Sequence, residues 1–186
     1  MPAKLGSGTS LPPRAGAFVA EASVQLQLKC KPWVRVGDTY GSGDGNATDG
    51  KHGSLFQNMP APRPFARFPF FDMVNNRDIF VSFVLHSHAK WTIRNEYHFL
   101  ALAQRTDIWH PGGGIFQPWT VGYARRPSNG QQSLANLYDV SVAWSTNARA
   151  TFTGYFGFAD GRDVIRKIHT SGATGKSSCL GIVSRF

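Results

Sequence analysis

The sequence predicts an all-β fold, an antiparallel up-and-down meander of about seven or eight strands. Three observations predict it. Apolar and polar residues alternate with period two over successive stretches of roughly ten residues. The connections between these stretches alternate short and long. Turn formers are abundant, with 20 Gly and 11 Pro among 186 residues, and they gather in the long connections.

Residues 1–15 are rich in Pro, Gly and Ser and are expected to be disordered, leaving 16–186 as the β portion. The first strand is expected over 17–28, with Phe18, Ala20, Ala22, Val24, Leu26 and Leu28 on one face. Val19, Glu21, Ser23, Gln25 and Gln27 take the other. A short turn leads to a second strand over 32–40, where Val34, Val36 and Tyr40 oppose Arg35, Gly37 and Thr39, and Asp38 interrupts the apolar face. A long loop covers 41–77. The third strand, 78–87, carries Ile79, Val81, Phe83 and Leu85 against Ser82 and His86. After a short turn the fourth, 90–103, sets Trp91, Ile93, Tyr97 and Phe99 against Thr92, Arg94, Glu96 and His98. A second long loop spans 104–132. The fifth strand, 133–144, has Tyr138, Val140, Val142 and Trp144 opposite Asp139 and Ser141. The sixth, 149–158, places Phe152, Phe156 and Phe158 opposite Thr151, Thr153 and Tyr155. A third long loop, 159–176, precedes a last strand over 177–186.

A soluble sandwich also alternates, so periodicity alone leaves two architectures open. Three features favour an outer-membrane β-barrel, or an open segment of one. The alternation of short turns with long loops is the pattern of transmembrane barrels. Trp33 or Tyr40, Trp91, Tyr138 and Trp144 stand near strand ends on the apolar faces, where an aromatic girdle would lie. The final residue, Phe186, ends a strand. No stretch approaches the ~18 apolar residues of a membrane helix, and the first fifteen residues lack the apolar core of a secretory signal. Seven strands ending at the periplasm would put the start of the first strand outside, whereas complete bacterial barrels have even strand numbers. The expectation is therefore the C-terminal portion of a larger barrel, with its N-terminal strands missing, unless an eighth strand lies within 115–124.

The segments GSGDGNATDGKHGSLFQ (41–57), PRPFARFPFFDMVN (62–75), WTIRNEYHFLALAQRTDIWHPGGG (91–114), GYARRPSNG (122–130) and GYFGFADGRDVIRKI (154–168) resemble the alginate-export family of outer-membrane barrels. In order, they span most of residues 32–186. The resemblance implies a large monomeric barrel that passes anionic polyuronate through an arginine-rich, water-filled lumen in the bacterial outer membrane. Asp38 and Asn95 depart from the pattern by standing where lipid-facing apolar residues are expected, and Ser184 stands where an aromatic is expected.

Net charge is +9, from 20 Lys+Arg against 11 Asp+Glu, which points to an anionic partner. The expected pore-lining set is Arg35, Arg94, Glu96, His98, Asp139 and Arg185. Arginine pairs carboxylates through a two-pronged fork, and rings of cations make a pore anion-selective. Glu21, Glu96 and Asp139 would pair with some of the cations and keep binding weak. Arg105, Arg125, Arg126 and Arg162 are loop candidates, with Arg63, Arg67 and Arg77 beside them. The bland alternative is that these arginines are solvated or internally paired.

Other motifs read as structure. Asp44, Asn46 and Asp49 resemble a calcium loop, but the downstream Glu is absent and a Gly/Asp turn fits better. His86 and His88 share a face without a third ligand nearby. Gly112–Gly114 lacks a phosphate-loop Lys. Cys30 and Cys179 are expected to be free. Asp107, Trp109 and His110 come without a nucleophile motif. The expectation is no catalytic residue, no metal and no cofactor. The partners expected are anionic polysaccharide or organic anions, outer-membrane lipid and the missing strands, with no nucleic acid. The alternative is a soluble all-β module that holds an acidic glycan or nucleic acid with its basic loops.

Overall fold

A computed structural model of the chain describes residues 14–46, 52–55, 67–69, 72–112, 119 and 124–185. It is all-β, one sheet of seven antiparallel strands joined in sequence order. The strands are β1 (Ala17–Gln25), β2 (Trp33–Gly41), β3 (Asn76–His88), β4 (Trp91–Ala101), β5 (Ser133–Ser145), β6 (Ala150–Gly161) and β7 (Thr174–Ser184). Neighbours in sequence are neighbours in the sheet, and no strand contact joins β1 to β7. The sheet is therefore open, with two unpaired edges. Among the described residues no helix is long and apolar enough to cross a membrane, which has no bearing on crossing by strands.

Several boundaries differ from the sequence reading. β1 stops at Gln25, because Leu26 N–H already bonds Pro32 O across the turn and Leu28 O takes Lys31 N–H. β7 runs over Thr174–Ser184, and the expected loop over 159–176 contains a helix, α1 (Asp163–Ile168). Asp163 in its first turn and Arg166 and Lys167 in its last complement the helix dipole. Val164 is its buried anchor. Arg77 belongs to β3 and not to a loop. The eighth strand considered for 115–124 falls almost entirely on residues outside those described, as do residues 1–13 of the expected disordered segment.

Register fixes the faces. Strand residues alternate between them, and directly opposed residues share one. Val36 pairs Val81, Ile79 pairs Phe99, Tyr97 pairs Tyr138, and Trp144 pairs Phe152. All these large side chains lie on one face, and many are more than a third exposed. The other face carries Thr39, Asp78, Ser82, Glu96, His98, Asp139 and Ser141, all buried. The sheet thus inverts the usual arrangement, with its apolar face outward and its polar face covered. Trp33 stands in register with Gln25 and Val84 and so lies on the polar face, while Tyr40 lies on the apolar one against Phe18.

The core of ordinary apolar contacts sits at the loop end of the polar face. Phe68, Met73, Leu100, Leu102, Leu134, Ala135, Leu137 and Val164 form it. Asn75 joins two long loops there. Its Nδ2 donates to Gln104 O (3.1 Å) and Ile108 O (3.0 Å), and its Oδ1 accepts Gln104 N–H (2.7 Å). Asn75 takes a left-handed backbone (φ 50°), which Asn tolerates better than most residues. Asp107 is a second staple, accepting Asp44 N–H (2.7 Å) and the Ser54 hydroxyl (2.5 Å). The Asp44 carboxylate accepts Asn46 N–H at 3.0 Å, a local turn bond of the kind the Gly/Asp reading implies. Asp49 lies outside the described residues.

Candidate functional site

The chemistry of the molecule concentrates on the covered polar face, where β3, β4, β5 and β6 run side by side. Glu96 and His98 are two apart on β4, so both point to the same side. Glu96 stands directly between Ser82 of β3 and Asp139 of β5. His98 stands between Phe80 and Leu137. Phe80 lies over Gly37, where a Cβ would collide with its ring, and its ring centroid is 5.7 Å from that of His98. The small residue on β2 thus gives Phe80 room to roof the histidine.

His98 and Asp78 are both fully buried, 0% exposed, and His98 Nδ1 lies 2.8 Å from Asp78 Oδ2. Tyr155 donates its hydroxyl to Asp139 Oδ1 at 2.6 Å. From the long loop, Arg67 N–H donates to Asp139 Oδ2 at 3.3 Å. Phe68 beside it packs near Gly157, whose missing side chain leaves the space that Tyr155, Asp139 and Phe68 share. Part of the 41–77 loop is therefore tied down onto the polar face. One ligand atom each from Glu96, His98 and Asp139 lies within 4.8 Å of the others.

The expected pore-lining residues divide into two groups. Glu96, His98 and Asp139 come together in one buried cluster. Arg35, on the same face, is held by Glu21 through Nε–Oε1 (2.8 Å) and Nη2–Oε2 (2.7 Å), and its Cζ sits 5.7 Å from the Trp33 ring centroid. Arg94 reaches Glu96 Oε1 only at 3.5 Å. Arg185 lies apart at the turn end, bordering a cavity of about 440 Å³ with Lys90 and Arg149. The mid-strand polar face is thus rich in carboxylates around one imidazole, and its arginines are paired in the way the bland alternative describes.

The loop candidates gather at the opposite end. Arg105, Arg125 and Arg126 are exposed, and Arg126 is held by paired backbone bonds with Trp109 (2.8 and 2.9 Å). Arg162 precedes α1, 3.8 Å from Asp160. Arg77 lies on the apolar face, bonded to Asp38 through Nε and Nη2 at 3.2 and 2.8 Å to Oδ2. Arg63 lies outside the described residues. Cys30 and Cys179 are both free thiols.

Sequence reading passed over Asp78 and Tyr155 as partners. The signal was present in both. Asp78 shares parity with Ser82, and Tyr155 with Thr153, on faces already read as polar. What periodicity lacks is the cross-strand register that sets Asp78 beside His98 and Tyr155 beside Asp139.

No family model matches the chain, and no curated protein does either.

Proposed function

We propose that this chain is part of the wall of an outer-membrane channel, the role expected from its resemblance to the alginate-export barrels. The observation that carries the reading is the inverted sheet. Large apolar side chains face outward on neighbouring strands, while acids, hydroxyls and an imidazole lie covered on the other side. In lipid the outward face would be the solvated one.

Dimensions agree with a membrane wall. Strands run from 9 to 13 residues, roughly 30–43 Å along the chain at ~3.3 Å per residue. Tilted by about 40°, such strands cross an apolar band ~25 Å tall. Trp91, Trp144, Phe152 and Ile182 form one continuous row across four strands near the short turns. Trp91 and Trp144 stack at 5.6 Å. Phe18 and Tyr40 stack at 5.4 Å near the long-loop end. These rows fit the two girdles of a barrel.

Two polar exceptions on the apolar face, Asn95 and Asp38, are paired, which makes them tolerable in lipid. Asn95 Oδ1 accepts the Tyr138 hydroxyl at 3.0 Å. Asp38 and Arg77 neutralise each other close to the loop end of β2 and β3. Charges near the interface cost only about 0–1 kcal/mol, against roughly 2–4 for a basic residue at mid-depth. The open sheet calls for further strands, or another copy, to close the wall.

The cargo proposed is anionic polysaccharide or smaller organic anions. Support comes from the basic balance of the chain and from exposed cations at both ends: Lys90, Arg149 and Arg185 by the turns, Arg105, Arg125 and Arg126 by the loops. Cations at the two mouths would gather anions, and the paired Arg35 and Arg94 between them would keep binding weak enough for release.

The wall reading is tested in vesicles whose acyl chains carry bromine at known depths. Emission from Trp91 and Trp144 should be quenched most by shallow bromines, and both Trp→Phe variants should lose that component. A monomer that stays in detergent-free buffer with unquenched tryptophans overturns it in favour of the soluble module. For the cargo, planar-bilayer reversal potentials should report anion preference, reduced by Arg94→Glu. Cation selectivity would remove the anionic cargo while leaving the wall.

A further inference from the structure

We infer that Glu96, His98 and Asp139 form a binding site for a divalent transition-type cation, Zn²⁺ or an ion of similar chemistry, which ties β4 to β5 and to the infolded loop. The first support is geometric. The three side chains converge from adjacent strands with ligand atoms within 4.8 Å of one another, and all three are buried. Ligands ~2.0–2.1 Å from a tetrahedral ion stand roughly 3.3 Å apart, so an ion would draw these atoms together by up to about 1.5 Å.

The second support is independent of the acids. His98 is fully buried, and its Nε2 has no hydrogen-bond partner among the described residues. Leaving such an atom dry and unbonded costs about 1–3 kcal/mol. Its other nitrogen, Nδ1, faces Asp78 Oδ2 at 2.8 Å. When Nδ1 carries the proton and donates to Asp78, Nε2 presents a lone pair. That is the carboxylate–histidine arrangement that orients imidazoles toward metals.

Charge gives the third. Asp78, Glu96 and Asp139 are carboxylates buried around one imidazole, and beside the 2.8 Å contact of His98 with Asp78 the arginine paired to them among the described residues is Arg94, 3.5 Å from Glu96. Buried charges are expensive unless paired or coordinated. A divalent ion offsets two of them. An imidazole with two carboxylates suits Zn²⁺, Mn²⁺ or Fe²⁺ better than Ca²⁺ or Mg²⁺, which prefer all-oxygen shells. Three protein ligands leave a position open, and a cavity of about 350 Å³ lined by Arg67, Thr153, Tyr155 and Cys179 lies beside Asp139's partner Tyr155. Because Asp139 also accepts Arg67 N–H, an ion there would hold the loop in place from the sheet side.

The test uses the untagged full chain in dodecyl maltoside micelles, stripped with EDTA and titrated calorimetrically with ZnCl₂ and with CaCl₂. One equivalent of Zn²⁺ should bind, at least ~10-fold more tightly than Ca²⁺. X-ray absorption should give nitrogen and oxygen ligands at ~2.0–2.1 Å and no sulfur. His98→Ala should abolish binding. Glu96→Gln and Asp139→Asn should each weaken it, and these isosteric variants decide the matter if His98→Ala loses its strand content by circular dichroism. Asp78→Asn, which leaves all three ligands in place, should weaken binding by about 10–100-fold. His169→Ala, on the exposed surface, should change nothing. Absence of saturable Zn²⁺ binding, a sulfur ligand from Cys179, or unaltered affinity in both Glu96→Gln and Asp139→Asn would overturn the site.

Discussion

At the residue scale, burial of polar groups is the theme, and Asp72 gives its sharpest consequence. Its carboxyl is buried, Oδ1 accepts Val74 N–H at 3.2 Å, and Oδ2 has no partner among the described residues. Burial pushes its pKa from 3.8 up to about 6, against the smaller downward pull of the backbone amides. The folded value is above the unfolded one, so the fold favours the protonated acid. The stability that this proton contributes is fully present below pH ~4 and is lost as pH rises through about 6, a loss of roughly 3 kcal/mol. Asp72→Asn removes the ionisation. Its unfolding free energy relative to the native chain should be near zero or slightly unfavourable at pH 4 and should improve by up to that amount at pH 7. Urea titrations at the two pH values measure it, and a difference that does not change with pH refutes the assignment.

At the element scale, the sheet edges matter most. β7 presents Leu180 at 92% and Ile182 at 69% exposure, and every residue of β1 is exposed. Unpaired edges carrying apolar side chains invite pairing with another chain. In detergent-free buffer the chain should therefore self-associate, and the double change Leu180→Lys/Ile182→Lys should shift sedimentation toward the monomer. The same aggregate size in the variant would assign association to another surface. The central strands have no such exposure of backbone, because β2 to β6 are each paired on both sides. The short turns keep register, as at Asn147, whose Oδ1 accepts both Arg149 and Ala150 N–H (2.8 and 2.9 Å).

For the whole molecule, charge is sorted by position and not merely by sum. Exposed cations stand near both ends, while the middle of the polar face holds Glu21, Asp78, Glu96 and Asp139 with two paired arginines and His98. A uniform arginine ladder would give anion preference along the whole path. In the proposed channel this distribution would place most of the attraction at the mouths. Arg94, whose contact to Glu96 is long at 3.5 Å, is the mid-face cation least committed to a partner. Arg94→Glu should lower the anion-to-cation permeability ratio and add repulsion against Glu96. An unchanged reversal potential would take Arg94 out of the conducting path.

The sequence by itself determined the all-β class, the seven strands in order, the alternation of short and long connections, and which side chains share a face. Period-two alternation carries all of this, because side-chain direction is local to each strand. It also placed Glu96, His98 and Asp139 on one polar face. Only the tertiary structure decided that this face is the covered one and that the sheet stays open. Neither property is local: both depend on what packs against the strands. Register likewise decided that Asp78 meets His98, that Tyr155 meets Asp139, and that Asp38 and Asn95 find partners on the apolar face. The α1 helix inside the third loop was illegible for a related reason. Six residues are too few to form a helix unaided, and the burial of Val164 against the sheet end supplies what its own sequence lacks.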